Sequence, residues 1–351
     1  MQKKIIALAV ASALTVPAMA FAEATITGQV NMSYDSVNDG VVAGSTTTNQ
    51  LVSNQSRLQF KGSEDLGGGL AAIWQLDSRF NVDTGTISGS TLFGGNNYLG
   101  LKSDTAGTLM AGRIDAPYKS AMRSLDVFYD VAGDNRAGVG NPGGLLTHDV
   151  RLSNALAYMS PSMSGFSVAL ATVFGAESAT QTPGNSKKGS AYSLAAMYSM
   201  DAIYAALGYQ TVKYGDIGTG DLGASTAPPP AVDDEDTSIS LGGGYKTDQF
   251  VVNARYEQAT NKTALTGFDS KGSNWYIGGK FNFTPTDDVR LAYTKRGSTT
   301  GATNDANQYA LGYEHMMSKA TSVYATYVKT SDNTLNAADP SAISLGMKHS
   351  F

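Results

Sequence analysis

The chain has no cysteine and only three histidines among its 351 residues. Without cysteine there is no disulfide framework, so an exported chain of this kind must hold its fold by hydrogen bonding and burial. The histidines, His148, His315 and His349, offer few general bases. His148 has Asp149 beside it but no Gly-x-Ser-x-Gly element, and the other two have no evident catalytic neighbour. An enzyme, specifically a hydrolase, is therefore the weakest reading. The acidic run Asp233-Asp234-Glu235-Asp236 lacks the glycine and spacing of a calcium loop and reads as a solvated loop. No metal and no cofactor are expected. Basic excess is missing too: 25 Lys and Arg stand against 30 Asp and Glu, which argues against a nucleic-acid partner.

Long apolar runs are also scarce, with one exception. Lys3 and Lys4 precede an apolar stretch from Ile5 to Val16, followed by Pro17 and the small-x-small pattern Ala20-Phe21-Ala22. This reads as a secretory signal peptide over residues 1–22, cut after Ala22, with Ala18-Met19-Ala20 as a competing site. The run is shorter than the roughly 20 residues of a spanning helix. Taking its two lysines from 25 leaves 23 basic and 30 acidic residues over 23–351, a net charge of −7. Past it no apolar stretch approaches spanning length, which excludes a helical membrane protein.

What is abundant is glycine (39) and tyrosine (18), arranged with a period of two. From Ala24 to Asp35 every even position is apolar or small and every odd one polar, a pattern no helix can use. Phe250, Val252, Ala254 and Tyr256 oppose Asn253, Arg255 and Glu257; Trp275, Ile277 and Phe281 oppose Tyr276, Lys280 and Asn282; Tyr309, Leu311 and Tyr313 oppose Gln308 and Glu314. The apolar face interleaves alanine and glycine with aromatics toward strand ends, which suits lipid contact better than a packed sandwich core. The mean hydropathy looks soluble because half of every strand would face water.

Seven short connections alternate with eight longer ones, centred on 36–54, 80–95, 115–149, 176–188, 214–236, 259–272, 297–306 and 330–341. Eight hairpins make sixteen strands. Strands of about 10 residues tilted near 45° rise about 23 Å, the height of an outer-membrane apolar band. Sixteen strands leave an aqueous lumen where eight would fill with side chains. A propeller or solenoid would need a fixed repeat, and the spacing is irregular on one side. The final residues, Ile343 to Phe351, alternate to the last aromatic and are expected to pair with the strand near Ala24, closing the barrel.

The sequence resembles the trimeric general porins of Gram-negative outer membranes, especially the beta-proteobacterial type. Carrying the resemblance are Ser56 to Leu70 (SRLQFKGSEDLGGGL), Ala72-Ile73-Trp74-Gln75-Leu76, Tyr98 to Lys102 and Gly107 to Arg113. Tyr158-Met159-Ser160-Pro161 with Gly165-Phe166, and the terminal Gly346 to Phe351, complete it. The match spans the whole of 23–351. It implies an all-β, 16-stranded antiparallel transmembrane β-barrel whose long third loop folds into the lumen. It also implies a homotrimer in outer-membrane lipid and lipopolysaccharide, passing small hydrophilic solutes and ions by passive diffusion. Phe351 would be the signal read by the assembly machinery. The third loop matches 115–149, the longest connection, which carries Tyr118, Asp126, Asp130 and Asp134. By position, Arg57, Arg113 and Arg151 match the family's basic wall.

Period two separately sets Arg57 with Gln59 and Lys61, away from Leu58 and Phe60. Arg113 shares parity with Leu109 and Ala111, so facing the lumen would require a bulge near Gly112. Ala157 stands where relatives often carry another arginine, which weakens an anion preference. The acids have a second reading, as braces paired with Arg123 or Arg136. A substrate-specific channel for anions or sugars is the serious alternative, although Tyr118, Phe128 and Tyr129 are too few for an aromatic slide.

Overall fold

The computed structural model describes residues 23–41, 44–136, 149–174, 189–214, 234–263, 268–301, 305–333 and 339–351. The expected signal segment 1–22, His148 and residues 137–148 of the long loop lie outside them. Strands run in chain order as β1 (Glu23–Asn38), β2 (Thr47–Ser53), β3 (Arg57–Gly67), β4 (Leu70–Asn81), β5 (Thr86–Ile87) and β6 (Asn97–Ser103). Next come β7 (Gly107–Asp115), helix α1 (Pro117–Arg123), β8 (Arg151–Met159), β9 (Phe166–Val173), β10 (Ser190–Met200), β11 (Ile203–Lys213) and β12 (Glu235–Lys246). The set ends with β13 (Phe250–Thr263), β14 (Phe268–Asn282), β15 (Asp287–Arg296), β16 (Ala306–Met316), β17 (Thr321–Asp332) and β18 (Ser341–Ser350).

All neighbours pair antiparallel, and β1 pairs with β18, so the sheet closes on itself. β2 and β3 together are one wall strand: β2 pairs with Met32–Asn38 of β1 and β3 with Glu23–Gln29. The interruption falls at Gln55, whose φ of 56° takes it off the ladder. β5 pairs with Phe80–Asn81 as a small ribbon on the rim of β4. Counting β2 with β3 and setting β5 aside leaves sixteen wall strands. The backbone of Phe351 adds two bonds to Gly28, at 2.8 and 3.1 Å. Its ring covers that glycine, where a Cβ would come within 2.8 Å of the ring.

The faces divide as the alternation predicts. Leu99, Leu241 and Leu291 are each more than 60% exposed, while Asn31, Asp77, Glu257 and Ser344 are fully buried. Large apolar side chains outside and polar groups inside make an inverted protein, stable where the outer solvent is hydrocarbon and every ladder bond is satisfied by closure. Among the described residues no helix is long and apolar enough to cross a membrane.

Turn chemistry also follows the residues. Gly67, Gly68 and Gly69 take φ of 83°, 64° and 76° between β3 and β4, a run of left-handed positions that only glycine occupies cheaply. Several connections expected to be open loops are partly paired. Within 36–54, Ser36–Asn38 of β1 pair with Thr47–Asn49 of β2, and β13 and β14 pair out to Thr263 and Phe268.

Candidate functional site

The segment after β7 turns inward. Pro117 at the first turn of α1 fits because its missing N–H has no helical partner there. The helix lies on the inner faces of β10, β11 and β12. Wall glycines make the seat: a Cβ on Gly208 would sit 2.8 Å from the Tyr118 ring, and one on Gly242 2.3 Å from Leu125. Farther on, Phe128 covers Gly312, and Val131 and Ala132 pack with Ala310, Tyr324 and Val328. The described part of the segment thus follows the inner wall around to β1 and β3.

Polar clamps hold it there. The Tyr118 backbone N–H donates to Ser193 at 3.0 Å, and its hydroxyl donates to Glu257 at 2.5 Å. Arg255 joins the same group, 2.6 Å from Glu257 and 3.4 Å from Asp149 at the far end of the loop. At the near end, Asp115 bridges Lys119 (2.7 Å) and Arg151 (2.9 Å). Burial lowers the Lys119 ammonium to about 8 despite Asp115.

The three loop carboxylates divide by role. Asp134 binds Arg123 at 2.5 Å and accepts the Arg136 backbone N–H at 2.9 Å. Asp126 accepts the N–H groups of Phe128 and Asn135 and the hydroxyl of Tyr276. Its burial, and then the neighbouring Asp134, push its carboxyl up to about 7. Asp134 goes down because Arg123 outweighs its own burial. Asp130 crosses to the wall, with its side chain 2.7 Å from Arg57 and 3.4 Å from Arg123. Its backbone carbonyl accepts from Asn31, and its φ of 61° turns the chain there.

On the wall, Arg57 also donates to Gln29 at 3.1 Å. Arg113 follows the bulge: the register shifts between Gly112 and Ile114, with Gly112 at φ 146°. Its guanidinium donates to Ser153 (2.5 Å) and to the Gly94 carbonyl (3.4 Å). Arg151 donates to the same carbonyl at 2.9 Å and to Asn96 at 3.2 Å. Ala157 is buried in a cluster with Ile114 and Leu152.

Arg79 is the basic residue that sequence reasoning missed. It stands opposite Arg57 in the β3–β4 register and holds Asp77 (3.1 Å) and Gln55 (3.0 Å). Its signal was present: Gln75, Asp77 and Arg79 alternate with Trp74, Leu76 and Ser78, which puts Arg79 on the polar face. His315 pairs with Asp287 at a short turn and His349 with Thr321.

A closed barrel with an apolar exterior, a charged interior and a segment seated inside it defines a transmembrane channel. The Gram-negative porin family profile matches residues 7–335, and the chain belongs to that family. An outer membrane porin protein of Bordetella pertussis is 28% identical over 332 residues, covering 86% of this chain and 83% of its own. The major outer membrane protein P.IB of Neisseria gonorrhoeae is 28% identical over 341 residues, covering 92% and 91%. Among solved structures, the anion-selective porin from Comamonas acidovorans matches with a TM-score of 0.76 at 22% identity, covering 94% of this chain and 100% of that one. At that identity the likeness speaks for the fold. The protein is an outer-membrane porin of the Gram-negative cell envelope, and its family and relatives are channels rather than enzymes.

Proposed function

We propose that small hydrophilic solutes and ions cross this barrel passively, through a constriction between the basic wall and the inward loop. Its wall side is Arg57, Arg79, Arg113 and Arg151; its loop side is Asp130, with Asp126 and Asp134 braced behind it and Tyr118 anchoring the helix. The observation that carries this reading is the 2.7 Å ion pair of Arg57 and Asp130, where wall and loop charges meet. Asp126 and Asp134 are turned toward Arg123, so they reach the lumen less than the arginines do. The balance leans toward anions. The Comamonas protein of the same fold is an anion-selective porin, which agrees with that lean.

The same reading takes the chain as a homotrimer in lipid and lipopolysaccharide, free of catalysis, exported through removal of 1–22, with Phe351 as the assembly signal. Arginine suits the wall because it is charged at every physiological pH. One charge pair about 10 Å apart in water is worth roughly 0.4 kcal/mol, so a bias needs several arginines acting together in a low-dielectric wall. Reversal potentials across a planar bilayer in a potassium chloride gradient test the reading. A chloride-favouring sign is expected, and a clear cation preference overturns the lean.

A further inference from the structure

On the short-turn side of the inward loop the inner wall carries a second cluster of charge, in which Lys280, Arg290 and Lys348 meet Asp248, Asp287, Asp288 and Glu314. Register places Lys246 opposite Val251, Val251 opposite Lys280, and Lys280 opposite Arg290. One row across β12 to β15 thus holds three cations and a valine. Like charges directly opposite on an antiparallel pair cost stability, so the row is an expense the fold bears. Lys348 on β18 joins from the other side, 3.4 Å from Glu314, whose second oxygen accepts from Arg290. Asp288 sits 2.7 Å from Arg290 and 3.7 Å from Lys280.

Depth decides which sign a solute meets. The Asp288 and Glu314 side chains are 10% and 6% exposed, against 29% for both Lys280 and Lys348. The carboxylates lie behind and the ammonium heads in front, on a recess of about 640 Å³ that Asn282 and Gln249 also line. Two further acids stand at its rim. Asp287 already accepts from Tyr313 and Thr286 and pairs with His315, while Asp248 is solvent-exposed two residues from Lys246. Arg290 also donates to the Val127 carbonyl at 3.3 Å, which ties the recess to the loop above it.

We propose that this recess is a binding station for small oxyanions of two or more charges, the chemistry shared by phosphates and polycarboxylates. It rests on the reading that small solutes cross the lumen, and goes beyond it by naming a class that pauses there. Arg290 is fixed by two carboxylates and sets the floor. Lys280 and Lys348, each with three rotatable donors, close on the ligand. A multivalent anion relieves the cross-strand repulsion that chloride relieves less.

Chloride conductance through single channels, titrated with inorganic pyrophosphate and separately with citrate, tests the proposal. Wild type is expected to show dose-dependent block by both. Lys280→Gln/Lys348→Gln should raise the half-blocking concentration about tenfold, since two charges at contact range are removed. Lys280→Arg/Lys348→Arg should restore block. Each glutamine takes one partner from a carboxylate that Arg290 still holds, Asp288 or Glu314, and heat-modifiable gel mobility checks that the barrel folds. Absence of block in wild type, or equal half-blocking concentrations in wild type and the glutamine variant, overturns the station. Block by pyrophosphate but not citrate narrows it to phosphates. Reversal potential in the same membranes separates the two readings: a cation-preferring wild type that is still blocked retires the anion lean and keeps the station.

Discussion

Arg57 and Arg79 stand opposite each other on β3 and β4, yet their partners differ: Arg57 reaches Asp130 on the inward segment, whereas Arg79 holds Asp77 on its own strand. Removing either deletes one wall charge and takes a partner from a carboxylate, but Asp130 lies on the loop that narrows the lumen, whereas Asp77 is fully buried in the wall.

Arg57→Ala is therefore expected to shift selectivity toward cations more than Arg79→Ala does. A single charge about 10 Å from the ion path carries roughly 0.4 kcal/mol, or about twofold in permeability ratio. Arg57→Ala adds the unmasked Asp130 on top. Reversal potentials of the two variants check the order. An unchanged value for Arg57→Ala would remove it from the constriction.

Arg123 holds Asp126, Asp130 and Asp134 together from within the loop. Arg123→Gln leaves those carboxylates buried without their counter-charge, a loss of about 3–5 kcal/mol for a broken buried pair. The wall ladder is untouched, so the barrel should still assemble while its current becomes noisy and the loop becomes open to protease. Single-channel recordings and limited proteolysis of the folded barrel report the two effects separately.

Acidification should raise the anion preference. Asp126 titrates near 7 and Lys119 near 8, so lowering the pH from 9 to 6 removes one negative charge and adds one positive charge to the loop. For seating of the loop the sign runs oppositely in the two coupled acids. The raised Asp126 contributes fully below the ordinary carboxylate range and loses its contribution as pH rises through about 7; the lowered Asp134 contributes above that range and loses it on acidification. Between about pH 4 and 7 the pair holds one proton. Asp126→Asn should flatten the selectivity change around pH 7, measured as reversal potential against pH.

Gly242→Val tests the seat itself. The added side chain would collide with Leu125 and push the loop off the wall. Conductance should change while heat-modifiable mobility of the barrel persists. Unchanged conductance would mean the loop repacks around the new side chain.

The sequence shows the wall more clearly than what lies inside it. Alternation from Ala24 to Asp35 and from Phe250 to Glu257 reports which face meets lipid, and the long and short connections give the number of strands. The interruption at Gln55 shows only as a change of phase, with outward residues at odd-numbered Leu51 before it and at even-numbered Leu58 and Phe60 after it. Arg113 was legible only as a conditional, and the bulge at Gly112 supplies the missing turn of face. The separate roles of Asp126, Asp130 and Asp134 depend on which carboxylate Arg123 meets once the loop has folded, and spacing within a loop does not encode that. Arg79 is legible by period two alone, since it lies outside the motifs that carry the family resemblance.

The tip of the inward segment touches both sides of the joint where the first and last strands meet. Asp130 binds Asn31 on β1, and Val131 packs with Tyr324 and Val328 on β17, the neighbour of β18. The piece seated inside is thus also a buttress behind the weld. A lesion at the tip should be felt twice, as an altered opening and as a cylinder that comes apart at a lower temperature.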